Sequence, residues 1–292
     1  MILVGMGRMG RHHLEALSRG RTWNLAGIVD PNLPLDVSAS SVKQGRDLRV
    51  LLAESRPFAA IVAVPPESHD AVSRICLESG CHVLLEKPIC PSHEQAIRLQ
   101  RDFRRSGVVL FGGHSERFHP VFECLRLQLS RIGEVQRIEA IRQGAIPQRT
   151  ERGGVVFDLA VHDLDLIVRL VGKPLQVTGA VVEGGTNTSP VSCRADLAWE
   201  SGAAVVEASW KPQRRRTLRV IGTHGVLDAD FLAPSLTLTD AKGVWRQKLT
   251  WTDPLESEHA TFLAACQGGF DALADLAPQI EAVRLAERIL RD

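Results

Sequence analysis

Short apolar runs alternate with amphipathic stretches through the first third of the chain. Residues 2–4, 25–29, 59–64, 82–85 and 108–111 are apolar runs of strand length, bounded by Gly, Pro or charged residues. Between them, the segment through Leu14 and Leu17 and residues 47–55, 67–79 and 92–106 space their apolar positions three and four apart, which predicts helices. Ser92 is an N-cap candidate and Gly80 a stop signal. Residues 31–46 carry little periodicity and predict a loop with a weak strand. Strands apolar on both faces and separated by helices predict a doubly wound parallel sheet, whose ligands gather at the strands' C-terminal ends.

The rest of the chain reads differently. After a helix over 120–129, strand-like stretches recur at 135–141, 175–183, 191–199, 203–210, 217–221, 226–230, 235–239 and 244–249, parted by Gly, Pro or Asn turns. That spacing predicts hairpins rather than crossovers. Interrupting them, residues 153–165 (GGVVFDLAVHDLD) place Val155, Val156, Leu159, Val161 and Leu164 near helical spacing after a Gly-Gly entry. This helix is expected to cover one face of the sheet, with a partner or solvent on the other. Helices over 256–265 and 278–291 close the chain. The expected division is residues 1–113 and 114–292, in keeping with the two domains that 292 residues suggest.

Composition narrows the class. Lys+Arg 35 against Asp+Glu 34 gives no electrostatic case for nucleic acid or membrane, and no apolar run approaches the roughly 20 residues of a bilayer span. The opening MILVGMGRMG lacks the basic start and longer apolar core of a signal peptide, so a cytoplasmic location is expected. Six cysteines without metal-finger spacing are expected to be reduced thiols, and no His/Glu pattern of a metal site occurs. The absence of tyrosine removes dehydrogenases that use a Tyr-x-x-x-Lys pair.

Candidate chemistry falls at three places. Gly5-Met6-Gly7-Arg8-Met9-Gly10 follows the first strand and opens a helix, the arrangement of a dinucleotide-binding turn with the helix N-terminus facing the pyrophosphate. Asp30, ending the second apolar run twenty positions past Gly10, would accept hydrogen bonds from ribose hydroxyls and repel a 2′-phosphate, which favours NAD over NADP. Glu86-Lys87-Pro88 ends a strand on the ligand edge, where an ammonium could stabilise an alkoxide; taken bare, Lys87 is an ordinary surface lysine. Asp158 and His162 lie four apart on one helical face, as either an acid/base pair or a plain surface contact.

Taken together, these three motifs, with Pro65-Pro66-x-x-His69, residues 219–228 (RVIGTHGVLD) and residues 281–287 of the last helix, resemble the glucose–fructose oxidoreductase/inositol dehydrogenase/MocA family over nearly the whole chain. The resemblance implies an α/β protein: an N-terminal Rossmann domain and a C-terminal α+β domain with a large, open, predominantly antiparallel sheet, through which a homo-oligomer (dimer or tetramer) would form. It implies Lys87, Asp158 and His162 as catalytic residues: Lys87 on the reacting hydroxyl, His162 as general base, Asp158 orienting His162 or sharing the hydroxyl. NAD would be held by Gly5, Gly7, Arg8, Met9, Gly10, Asp30, Pro65, Pro66, His69, Glu86 and Lys87.

Substrate identity rests on thinner ground. Residues 113–120 (GHSERFHP) resemble a segment of a subgroup that includes UDP-N-acetylglucosamine 3-dehydrogenases. Residues 142–152 carry Arg142, Arg149 and Arg152, which with Arg117 would suit a diphosphate, although a solvated basic loop is the plain alternative. Arg214-Arg215-Arg216 is expected to be the exposed start of a strand. The expected activity is NAD-dependent oxidation of a secondary sugar hydroxyl, C3 of a nucleotide sugar being the sharpest form. A free-sugar or inositol dehydrogenase and a non-catalytic sensor are the alternatives.

Overall fold

The computed structural model describes residues 1–20, 22–33, 42–147, 153–172, 175–186 and 189–291. They form two compact units, one of residues 1–115 and 255–280, the other of residues 116–254 and 281 onward.

In the first unit, β1 (Ile2–Val4), β2 (Gly27–Val29), β3 (Lys43–Gly45), β4 (Ala59–Val62), β5 (His82–Glu86) and β6 (Leu110–Gly113) form one parallel sheet in the order β3-β2-β1-β4-β5-β6. That is the doubly wound Rossmann order, with its switch point between β1 and β4. Helices α1 (Arg8–Arg19), α2 (Leu48–Ser55), α3 (His69–Glu78) and α4 (His93–Ser106) connect the strands. Ile2, Ala60, Ile61, Val62, Leu84 and Leu85 are fully buried, which explains the uninterrupted apolar runs. Each large side chain withdrawn from water contributes about 1.5–3 kcal/mol. Asp47 caps α2 by accepting from the Arg49 and Val50 N–H groups, and Ser92 caps α4 through Gln95 N–H.

The expected domain division is corrected at its far end. Helix α7 (Pro254–Cys266) and the first part of α8 (Ala272–Ile289) belong to the parallel-sheet unit. Phe262, fully buried, lies 5.6 Å from Phe111 and 5.4 Å from Trp23 between ring centroids, and Leu276 and Ile280 join the core of the sheet. The last helix, expected from Pro278, instead begins at Ala272 and carries Pro278 inside it.

The second unit is built on eight strands: β7 (Val135–Gly144), β8 (Gln176–Glu183), β9 (Ser192–Trp199), β10 (Gly202–Trp210), β11 (Arg215–Gly222), β12 (Gly225–Asp230), β13 (Ser235–Asp240) and β14 (Gly243–Lys248), in the order β14-β13-β12-β11-β7-β10-β9-β8. Only β7 and β10 pair in parallel, because β7 is inserted between two runs of hairpins. Ile138, Ala140, Val206, Leu218, Val220, Leu227 and Leu236 face a core shared with α5 (Pro120–Gln128), α6 (Val161–Val171) and residues 282–289. The opposite face carries Arg137, Glu139, Arg194, Glu207, Arg219 and Asp228, with Arg194 paired to Glu207 and Arg219 to Asp228. Among the described residues no helix is long and apolar enough to cross a membrane.

Candidate active site

In the parallel-sheet unit, three glycines shape the turn after β1. Gly5 has φ +94°, and a Cβ there would lie 2.5 Å from the Ala63 carbonyl oxygen; at Gly10 it would lie 2.0 Å from the Gly5 oxygen. These two allow close backbone approach. Gly7 differs: it is exposed, and a Cβ there would meet nothing within 4 Å. It is the N-cap of α1 and supplies no side-chain cap, so the helix end with Arg8 and Met9 in its first turn presents its amides outward. Asp30, at the end of β2, accepts the Met6 N–H through Oδ2 at 2.7 Å and the Asn32 N–H through Oδ1 at 2.8 Å, binding the glycine turn to the adjacent strand end. Open space at Gly7, an uncapped helix N-terminus and a carboxylate at the second strand end fit a dinucleotide.

Pro65 is exposed and Pro66 buried where β4 ends in a 3₁₀ turn (Pro66–Ser68). His69 and Glu86, expected among the cofactor contacts, both turn inward. His69 is fully buried, with Nδ1 2.9 Å from the Pro88 carbonyl oxygen and Nε2 3.0 Å from that of Val64. Burial lowers its pKa against the opposing pull of those carbonyls. Glu86 is 4% exposed; Oε1 lies 2.8 Å from His13 Nε2 and Oε2 accepts the Lys87 N–H at 3.1 Å. Burial would raise its pKa, but His13 and Lys87 outweigh burial and hold it below the usual value. His13 Nδ1 in turn lies 2.9 Å from His259 Nε2, and burial, aided by His13, pushes His259 down to about 3. Lys87 itself is half-buried at the tip of β5.

His13, Glu86 and the fully buried Glu258 present atoms within 4.8 Å of one another, a grouping that could hold a cation by spacing alone. Both His13 nitrogens already sit in hydrogen bonds, however. Nothing in the chain's local spacing announces this cluster, since His13 and Glu86 are 73 positions apart and His13 and His259 are 246 apart.

In the antiparallel-sheet unit, the stretch carrying Asp158 and His162 is helical as expected, but it is not one regular α-helix. Residues Val156–Ala160 form a π turn, closed by the Val161 N–H reaching the Val156 carbonyl, and α6 follows. Such turns recur at functional sites because they re-aim side chains. Gly153 and Gly154 enter it at φ +89° and +51°, and a Cβ on Gly154 would lie 2.3 Å from the Pro190 oxygen. Asp158 and His162 are both half-buried. Asp158 Oδ2 accepts the Trp210 indole N–H at 3.0 Å.

Of the four arginines expected to grip a diphosphate, Arg117 and Arg142 are buried. Arg142 is 4% exposed, with Nε and Nη2 on the two oxygens of Asp163 at 2.9 and 2.8 Å and Nη2 3.6 Å from Glu116. Burial would lower its pKa, but the two carboxylates more than offset that and raise it. Arg117 is 6% exposed, its guanidinium 4.5 Å from the Phe118 ring centroid. Arg149 and Arg152 lie outside the described residues. Of the triplet read as a strand start, Arg214 and Arg215 are exposed, while Arg216 turns in and pairs with Glu116. Burial would raise the Glu116 pKa, yet Arg142 and Arg216 bring it down to about 2. Nearby His119 is pushed down to about 4, chiefly by burial.

Residues 1–114 match the family described as "Oxidoreductase family, NAD-binding Rossmann fold", and residues 126–228 match the GFO/IDH/MocA C-terminal domain. UDP-N-acetylglucosamine 3-dehydrogenase of Acidithiobacillus ferrooxidans is 28% identical over 243 residues, covering 80% of this chain and 74% of the relative. A solved structure of that enzyme superposes with a TM-score of 0.87 at 25% identity, over 99% of this chain and 95% of the other. Inositol 2-dehydrogenase of Rhizobium meliloti is 25% identical over 99% of this chain and 95% of its own. The chain therefore belongs to the Gfo/Idh/MocA oxidoreductase family and is an enzyme whose first domain is an NAD-binding Rossmann fold.

Proposed function

We propose that this enzyme oxidises a secondary hydroxyl of a sugar with NAD, and that its substrate is a nucleotide sugar, UDP-N-acetylglucosamine, oxidised at C3. The observation that supports the substrate is the likeness to the A. ferrooxidans 3-dehydrogenase, which extends across 95% of that structure.

The Gly5–Gly10 turn, with Arg8, Met9 and Asp30, would hold the dinucleotide, with Pro65 and Pro66 beside it. When bound, NAD supplies the acceptor for the hydride that leaves the carbinol carbon. Lys87 donates a hydrogen bond to the hydroxyl oxygen and stabilises the developing alkoxide. His162 takes the hydroxyl proton and becomes imidazolium while the C–O bond becomes a carbonyl. Asp158, held by Trp210, orients and stabilises that imidazolium. Proton transfer of this kind is worth about 10²–10⁴-fold in rate. A second copy of this chain on the open face of the antiparallel sheet is the partner in this reading, and six cysteines without a disulfide suit the cytoplasm.

A free-sugar or inositol dehydrogenase is the second reading, favoured by the withdrawal of Arg117 and Arg142 from solvent and by the inositol dehydrogenase relative. Absorbance of the reduced cofactor, followed with NAD⁺ and panels of nucleotide sugars, free sugars and inositols, separates the two. Turnover confined to UDP-N-acetylglucosamine supports the first; turnover only with inositols or free sugars replaces it. Dinucleotide binding without turnover on any of them would leave a sensor.

A further inference from the structure

Two buried histidines from two different helices take hold of the residues on either side of Lys87. His69, on α3, meets the carbonyl oxygen of Pro88, the residue after it. His13, on α1, meets the carboxylate of Glu86, the residue before it, and the other oxygen of that carboxylate accepts the Lys87 N–H. We propose that His13, acting through Glu86, is a positioning residue that fixes the backbone of Lys87 to the helix bearing the glycine turn. This rests on Lys87 being the group that meets the substrate hydroxyl.

The chemistry of the chain of contacts argues for it. An ionised Glu86 only accepts hydrogen bonds, so the proton at the 2.8 Å contact sits on His13 Nε2. The other His13 nitrogen is engaged by His259 at 2.9 Å, and the His259 carbonyl accepts the Trp23 indole N–H at 2.9 Å. The ring of His13 is therefore fixed at both nitrogens, and so is the carboxylate it holds. His13 lies three residues past Gly10, where α1 presses against the Gly5 carbonyl too closely for a Cβ. A continuous line of fixed contacts thus runs from the turn fit for a dinucleotide to the amide of Lys87. A strand-end lysine acting only as a solvated cation gains nothing from two buried imidazoles. A lysine whose ammonium must meet one oxygen does, because displacement by about 1 Å can cost on the order of 10²-fold in rate.

The test compares His13→Gln with His13→Asn in the full-length enzyme. The Gln amide can reach the place of Nε2 and keep the donor to Glu86; the Asn amide reaches only the place of Nδ1 and loses it. Four quantities are read: kcat and KM on the substrate that the wild type turns over, the Kd for NAD, and amide hydrogen exchange of residues 86–90. His13→Asn is expected to lose about 10²-fold in kcat, to exchange faster at residues 86–90, and to keep KM and the NAD Kd within about threefold, less than one tenfold step of affinity. His13→Gln is expected to recover most of the kcat. Equal kcat in the two variants overturns the proposal. So does a loss of kcat with unchanged exchange at 86–90, or a loss matched by weakened NAD binding. A wild type inactive on every sugar tested would instead fail the dehydrogenase reading, while exchange at 86–90 would still report on the contact.

Discussion

Arg142 lies flat against Asp163, two parallel N–H to carboxylate contacts of 2.9 and 2.8 Å between groups that are 4% exposed each. A guanidinium committed in this way is part of the core of the antiparallel-sheet unit. Removing it would strand Asp163 as a buried carboxylate and leave Glu116 to Arg216, and breaking such a buried pair costs about 3–5 kcal/mol. Arg142→Met is therefore expected to unfold at much lower denaturant concentration. At temperatures where it stays folded, its KM for a nucleotide sugar should be unchanged. A raised KM with normal stability would return Arg142 to the substrate site.

Acid should destabilise the protein in two stages. His119 and His259 are pushed from 6.5 to about 4 and about 3, so between those values and 6.5 the unfolded chain binds more protons than the folded one. Stability therefore falls as pH drops from about 6.5, before carboxylates titrate. Glu116, lowered from 4.5 to about 2, adds a further loss as pH falls from about 4.5 toward 2. Urea unfolding across this range checks it, and His119→Gln should flatten the upper stage. A midpoint constant from pH 7 to pH 5 would contradict the buried neutral imidazoles.

Much of this fold is written in local pattern. Runs such as Ala59–Val62 are buried on both faces and cannot be mistaken for amphipathic strands, and Gly and Pro between the apolar stretches part the eight strands of the second unit. What local pattern cannot carry is pairing across distance. Glu86 and His69 sit in motifs that point to a ligand, yet their polar atoms are used by His13 and by backbone carbonyls brought near only by the sheet. Arg142 was equally opaque, since its partner Asp163 reads as one more polar residue in a helix. A trace existed in that case: Asp163 and Asp165 interrupt the apolar stripe of α6, and acids on a buried stripe require cations. The return of residues 255–280 to the first unit left no local trace at all, because Phe262 and Leu276 are ordinary helix-face residues until their partners are known.

Lys87→Ala tests the catalytic assignment from the lysine side. Turnover should fall by about 10²–10⁴-fold, while NAD affinity stays near normal because the glycine turn and Asp30 are untouched. Unchanged turnover would remove Lys87 from the chemistry.

Asp30 invites a cleaner substitution than alanine, because its carboxylate also holds the Met6 N–H at 2.7 Å. Asp30→Asn keeps an oxygen for that contact and removes the charge. It gives up the exposed Asn32 N–H contact, a loss of about 1 kcal/mol, and is expected to lower the preference for NAD over NADP by about tenfold, the equivalent of about 1.4 kcal/mol. Equal dinucleotide titrations before and after the change would mean that another group sets the preference.

The two neighbouring glycines of the turn should separate folding from binding. A Cβ at Gly10 would stand 2.0 Å from the Gly5 carbonyl oxygen, a backbone atom that cannot swing away. Gly10→Ala must therefore push α1 off the turn, with an overpacking cost of about 1–3 kcal/mol and a lower melting temperature. At Gly7 the same methyl meets no atom within 4 Å, so Gly7→Ala should melt like the wild type. The space it fills is the space a pyrophosphate needs, and NAD affinity should fall about tenfold or more, a loss of about 1.4 kcal/mol. Calorimetric titration with NAD, run beside thermal melts of both variants, reads the two effects apart. A Gly7→Ala protein that binds NAD normally would place the dinucleotide away from this helix end.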